Sequence, residues 1–255
     1  MNVIVLAKYV PNPNGTPEIG EDFRLKREGV EGALDPGDEY GVEAGLQLAD
    51  QQGGEVTIVS MGPEVAMGGV RKALSMGAHK AVVVTDDALK GADALATARV
   101  LAKAIEKTGF DLVIAGVEST DGYTGTMPMA LAELLGVPCA TFARKIELAD
   151  GTLRVERQTE AGYDVVECPL PAVVTVTAGV NNPRYPTLKG IMQAKQKPVD
   201  RLSVSDLGLS ADDVKATQEV SGIEAAAAKA AGEIVEDDGS GAARIAQFLQ
   251  EAKVI

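Results

Sequence analysis

The stretch Leu112-Val113-Ile114-Ala115-Gly116-Val117-Glu118-Ser119-Thr120-Asp121-Gly122-Tyr123-Thr124-Gly125-Thr126 changes character twice. Leu112 to Ala115 is a short apolar run of the kind that forms a strand buried on both faces. Gly116 to Thr124 is a loop of Gly, Ser, Thr and Asp. From Gly125 to Leu135 the chain takes up helical spacing. A hydroxyl- and Gly-rich loop running into a helix start offers backbone N–H groups and partial positive charge to an anion such as a phosphate. The same residues also suit an ordinary helix N-cap. On the loop alone, both readings stand.

Working outward, Val3 to Leu6, Val56 to Ser60 and Ala81 to Val84 repeat the strand pattern. Helical stretches separate these runs. Asp38 to Gln52 carries Val42, Leu46 and Ala49. Glu64 to Ser75 carries Val65, Val70, Ala73 and Leu74. Asp93 to Lys107 carries Leu95, Ala98, Leu101, Ala102 and Ile105. Strand alternating with helix requires crossover connections. The expected fold is therefore α/β, an open, mostly parallel, Rossmann-like nucleotide-binding sheet flanked by helices.

After Pro138 the rhythm changes. Arg144 to Leu148, Thr152 to Gln158 and Tyr163 to Pro169 are strand-like, and Ala149-Asp150-Gly151 and Glu160-Ala161-Gly162 are turn signals, so a small antiparallel meander is expected. Pro171 to Ala178 reads as a strand returning to the main sheet. Asn181 to Lys197 is Pro-punctuated and locally basic, and the spacing allows a short helix at its end. Leu188, Ile191 and Met192 have no evident place in the core, so this segment is either a solvated linker or a docking element. Asp200 to Asp238 reads as an extended arm with an Ala-rich patch at Glu224 to Ala231. Ala242 to Lys253 reads as an amphipathic helix with Ile245, Phe248 and Leu249 on one face.

Composition narrows the function. The chain has 255 residues and a formal net charge of −13, which disfavours nucleic acid and anionic lipid as partners. The start of the sequence shows neither a signal-peptide pattern nor a membrane span, so a cytoplasmic protein without membrane insertion is expected. Two cysteines, Cys139 and Cys168, and one histidine, His79, give no spacing for a metal site, so none is expected. No GxGxxG follows the first strand and no GxxxxGK[ST] occurs, which disfavours a Rossmann dehydrogenase and a P-loop NTPase. No nucleophile triad can be built around the single histidine. The residues themselves lead to a nucleotide-binding α/β domain with a docking loop and an arm.

Several segments, taken in order, resemble the β subunit of electron transfer flavoproteins. Val5-Leu6-Ala7-Lys8-Tyr9-Val10-Pro11 resembles the family's first strand and turn. Leu34-Asp35-Pro36-Gly37-Asp38-Glu39 stands at its Asn- or Asp-Pro helix start. Val59 to Pro63 with Arg71 to Ala78 is similar to its second strand and helix. Glu156-Arg157 through Leu170 to Thr175 resembles its signature hairpin. Asn182 to Leu188 with Ile191 to Lys195 resembles its partner-recognition loop.

The resemblance implies an electron-carrier subunit of a heterodimer, not an enzyme. A larger α subunit would hold the redox-active FAD, and this chain would bind AMP structurally and shape one side of the flavin site. Electrons would come from acyl-CoA or other flavin dehydrogenases and pass to a quinone oxidoreductase, which connects the protein with fatty acid oxidation. By position, the AMP site would comprise Leu6, Asp35, Pro36, Gly37, Asp38, Met61, Gly116, Ser119, Thr120, Asp121, Gly122, Tyr123 and Thr124. Leu188 would be the anchor on the dehydrogenase, beside Ile191 and Met192. Asp164 would steady a docking Arg near the mobile flavin domain. Residues 1–200 would form the nucleotide-binding domain, including the recognition loop at about 181–197, and residues 201–255 an arm and terminal helix packed on the α subunit. An electron-bifurcating subunit with FAD in place of AMP is the alternative, which the short Ser119–Thr124 loop disfavours. A free universal-stress-type nucleotide protein explains the sheet but not the meander, basic loop or arm.

Overall fold

The computed structural model describes residues 1–224, 232 and 234–255. Contacts divide these into a unit from Met1 to Ser221 and a smaller one from Gly222 to Ile255. The first unit is built on parallel strands β1 (Asn2–Leu6), β4 (Glu55–Met61), β5 (Lys80–Val84), β6 (Leu112–Gly116) and β10 (Ala172–Val176). Its crossovers are α1 (Pro36–Gln52), α2 (Met67–Met76), α3 (Ala94–Thr108) and α4 (Met127–Leu135).

The apolar runs are continuous because both faces of the sheet are covered. Val3 and Val5 of β1 face one cluster with Val42 and Leu46 of α1 and Leu74 of α2. Ile4 and Leu6 face the other with Leu101 and Ile105 of α3 and Leu131 of α4. Alternate residues of one strand thus fill two cores, as the period of two requires. A Cβ on Gly45 would stand 2.8 Å from Val5, so glycine here lets α1 lie close on β1. Val65 and Leu95, which match the helical spacing, are exposed instead: Val65 sits in a 3₁₀ turn ahead of α2 and Leu95 on the outer side of α3.

The expected meander extends the main sheet. It consists of β7 (Cys139–Ala149), β8 (Thr152–Thr159) and β9 (Gly162–Pro169), paired antiparallel. β7 starts before the expected Arg144 because its first residues pair in parallel with β10. Two elements carry too little periodicity to be read from the sequence. One is a short ribbon of β2 (Tyr9–Pro11) and β3 (Gly32–Leu34); the other is β11 (Val199–Leu202), which pairs in parallel with β5. The sheet order is β11-β5-β4-β1-β6-β10-β7-β8-β9. Beyond β11, Val204, Leu207 and Val214 pack into the α3 side of the core, so the first unit continues to Ser221.

The basic segment ends in α5 (Leu188–Ala194), capped by the Thr187 hydroxyl accepting from the Gly190 N–H at 3.0 Å. In the second unit, α6 (Gly241–Glu251) buries none of its residues, and Ile245 and Phe248 are exposed. Most of the Ala-rich patch, residues 225–231, lies outside the described residues.

Candidate nucleotide site and docking loop

β4, β1 and β6 are parallel neighbours, so their carboxyl ends, Met61, Leu6 and Gly116, open on one edge. The chain after β1 reaches α1 on one face of the sheet, and the chain after β6 reaches α4 on the other. Divergence between adjacent strands opens the crevice where α/β sheets take ligands. Most of the residues singled out from the sequence meet here.

Asp35 is fully buried and caps α1, with Pro36 in the first turn. Its Oδ1 accepts from the Gly37 N–H at 2.8 Å. Its Oδ2 accepts from both the N–H and the hydroxyl of Thr120, at 2.7 and 2.9 Å. Asp38, one helical turn on, accepts from the Lys8 N–H at 2.7 Å. Burial, reinforced by the neighbouring Asp35 carboxylate, pushes the Asp38 pKa up to about 8, against N–H donors from Lys8 and Gly116. A Cβ on Gly116 would stand 3.0 Å from Asp38 Oδ1, so glycine lets the strand end approach the carboxylate.

Asp121 turns inward, its side chain 2% exposed. Lys8 Nζ donates to Asp121 Oδ1 at 2.8 Å and to Ser119 Oγ at 3.1 Å. Arg27 Nη1 lies 2.5 Å from Asp121 Oδ2, an ionic contact without hydrogen-bond geometry. Burial opposes ionisation of Asp121, but Lys8, the Ser119 hydroxyl and Arg27 outweigh it and hold the carboxyl below its usual range. Gly122 and Tyr123 donate to the Ser119 carbonyl, turning the loop, and Tyr123 has φ 47° with its ring exposed. The N–H groups of Thr124, Gly125 and Thr126 have no acceptor among the described residues, and α4 has no side-chain cap. Lys8 and Arg27 were missed from the sequence. Lys8 sits at a readable strand end, but Arg27 lies in an aperiodic loop that only the fold brings here.

The docking candidates group elsewhere. Leu188 is 76% exposed, and Ile191 and Met192 are exposed beside it on α5, while Ala194 is buried against α2. The loop ahead of them is pinned to α1: Arg184 binds Glu43 through Nε at 2.7 Å and Nη2 at 3.1 Å and reaches Asp50 at 3.2 Å. Lys197 donates to the carbonyls of Leu74 and Ala78, holding the other end. Asp164 stands apart from both groups, exposed on β9 and opposite Arg157 of β8.

The electron transfer flavoprotein domain family matches residues 22–207, which include the Asp35 cap, the Ser119–Thr124 loop and α5. The electron transfer flavoprotein subunit beta of Mycobacterium tuberculosis is 41% identical over an alignment spanning all of this chain and 99% of that protein. The chain belongs to the electron transfer flavoprotein β-subunit family. The subunit beta of Thermoanaerobacterium thermosaccharolyticum is 40% identical, covering 84% of this chain and 83% of that one. A protein of Acetobacterium woodii named as the Caffeyl-CoA reductase-Etf complex subunit CarD is 38% identical over 82% of this chain and 81% of its own.

Membership makes this an electron-transfer flavoprotein subunit and implies an α-subunit partner. The crevice offers donors to an anionic ligand: three unpaired N–H groups and two cations, with Leu6 and Met61 at the neighbouring strand ends. A broad open cleft of about 690 Å³ is lined by Arg144, Lys145, Gln158, Thr159 and Thr177, past the end of β10. The Arg144 guanidinium lies 4.2 Å from the Tyr163 ring centre at the same end of the meander. Among the described residues, no group of His, Cys, Asp or Glu is arranged to hold a metal, and no helix is long and apolar enough to cross a membrane.

Proposed function

We propose that this chain is the non-catalytic β subunit of a cytoplasmic electron-carrying heterodimer, that it binds AMP structurally, and that it docks dehydrogenases through Leu188. The observation that carries the reading is the crevice itself. The α1 cap, the end of β1 and the Ser119–Thr124 loop are tied together by Asp35–Thr120 and Lys8–Asp121, beside unpaired N–H groups at the start of α4. AMP would be held by Gly116, the backbone N–H groups and hydroxyls of Ser119 to Thr124 and the α1 start from Asp35 to Asp38, with Leu6 and Met61 against its base. Such a ligand has no redox chemistry, so its role is to brace three loops of one edge.

FAD belongs mainly to the α subunit, and there it supplies the electron-accepting chemistry. This chain's part is to cover one side of the flavin site and to present a docking surface. Exposed Leu188, Ile191 and Met192 in a polar, basic surround suit a small apolar anchor for transient contact with an acyl-CoA or other flavin dehydrogenase. Asp164, exposed on the meander, is assigned to an Arg of the α subunit's flavin domain, and a quinone oxidoreductase is the acceptor. The test is reconstitution: complex with the larger subunit should be reduced by a dehydrogenase and reoxidised by the quinone oxidoreductase, and a complex inert to both contradicts the carrier role.

Similarity to a subunit of a caffeyl-CoA reductase–Etf complex supports a second reading, an electron-bifurcating subunit with FAD in place of AMP. The short loop with its inward Asp121 favours the smaller ligand.

A further inference from the structure

Two cations converge on one carboxylate beside the nucleotide loop. Lys8 and Arg27 side chains are 43% and 46% exposed, whereas that of Asp121 is 2% exposed. The pair is therefore only half spent on its carboxylate. Lys8 has three donors and uses two, on Ser119 and Asp121. Arg27 has five donors in a planar fork and makes one ionic contact. Lys8, Arg27 and Asp121 together carry a net charge of plus one, with the Glu118 and Asp35 carboxylates at the same loop, in a chain whose formal net charge is −13. An anionic ligand approaching so acidic a protein gains from two cations held side by side.

Placement is the second argument. Lys8 Nζ lies 4.0 Å from where a Cβ on Gly122 would be, at the turn that leads to the unpaired N–H groups of Thr124 to Thr126. Arg27 arrives on an ordered loop, folded on itself by the Ile19–Leu25 bridge and by Lys26 donating to Glu18 at 3.1 Å. Glu28 of the same loop lies 3.6 Å from Lys90, an exposed pair at the surface.

We propose that Lys8 and Arg27 form a two-cation clamp on the nucleotide's phosphate, with Asp121 as an internal anion that orients both and competes with the phosphate for them. This rests on the nucleotide reading above and adds two ligands to it. The competing role separates the clamp from a plain structural tie. A tie is broken equally from either end, so Arg27→Gln and Asp121→Asn would behave alike. In a competing clamp they act with opposite sign.

The test measures exchange of labelled AMP and of labelled adenosine into the complex of the full chain with its larger subunit. Arg27→Gln and Lys8→Gln are expected to weaken AMP at least tenfold each, with a shallower dependence on salt and unchanged adenosine binding. Asp121→Asn is expected to tighten AMP severalfold, because Ser119 still holds Lys8 while the opposing charge is gone. Wild-type AMP binding that is unmoved by Arg27→Gln and Lys8→Gln overturns the clamp and leaves the nucleotide reading standing. Equal losses of AMP and adenosine in Arg27→Gln and Asp121→Asn overturn it in favour of a structural tie. A wild-type complex that takes up neither probe overturns both.

Discussion

The Asp35 carboxylate accepts both the N–H and the hydroxyl of Thr120, joining the start of α1 to the loop after β6 across 85 positions of sequence. Its other oxygen caps the helix through Gly37. One buried side chain thus couples the first crossover to the loop after β6.

Asp35→Ala removes the cap and leaves the Thr120 donors unpaired in a partly buried site. Unfolding free energy should fall by about 4 kcal/mol, the sum of a lost cap and two lost charge-assisted bonds from Thr120. Bound nucleotide should fall with it. Denaturant unfolding of the complex, with nucleotide extracted from the same sample, checks both. Lost stability with full nucleotide content would separate the cap from the site.

Asp38 sets a pH dependence. Its folded-state pKa is raised by burial to about 8 from an ordinary value of 3.8, so the folded chain binds the extra proton between those values. Stability therefore falls as pH rises through that window. Asp38→Asn should flatten the decline in melting temperature between pH 5 and about pH 8.5 relative to the parent. Parallel curves for the two proteins would show that Asp38 does not titrate there.

Arg184 holds the loop ahead of α5 on α1 through Glu43, whose side chain is only 5% exposed. Arg184→Ala takes the guanidinium from that buried carboxylate and leaves it only the Gln47 amide and the N–H of residue 184 as donors, at a cost of about 2 kcal/mol after allowance for the half-exposed guanidinium. Because α5 follows directly, electron transfer from the dehydrogenase should also slow. Thermal unfolding and stopped-flow reduction measure the two effects. Unchanged reduction would mean that α5 keeps its position without the Glu43 pair.

Leu188→Ala isolates docking from folding. The side chain is 76% exposed, so stability should change by less than about 0.5 kcal/mol. AMP and FAD contents should not move, while the apparent affinity for the dehydrogenase falls about tenfold. Turnover equal to the parent would remove the anchor assignment.

The parallel core was legible because each strand is buried on both faces, so Val3 to Leu6 and Leu112 to Ala115 read as unbroken apolar runs. The meander was legible from its turns at Asp150-Gly151 and Ala161-Gly162. β11 was not, because an edge strand reading Val-Asp-Arg-Leu buries too little to show a period. At the site, the cap Asp35 and loop Ser119–Thr124 carry local signals. Lys8 and Arg27 meet at Asp121 only through tertiary folding, and nothing in the residues around Arg27 marks that meeting.

The central claim, an AMP-bracing β subunit beside an α-subunit flavin, is tested most directly by counting released cofactors. The chain is co-expressed with its larger subunit, and the purified complex is denatured and its nucleotides identified by mass and absorbance. One FAD and one AMP per heterodimer is the predicted result. Two FAD without AMP would contradict it and move the chain to the bifurcating class. Recovery of the chain alone, without flavin or nucleotide, would contradict the carrier role itself.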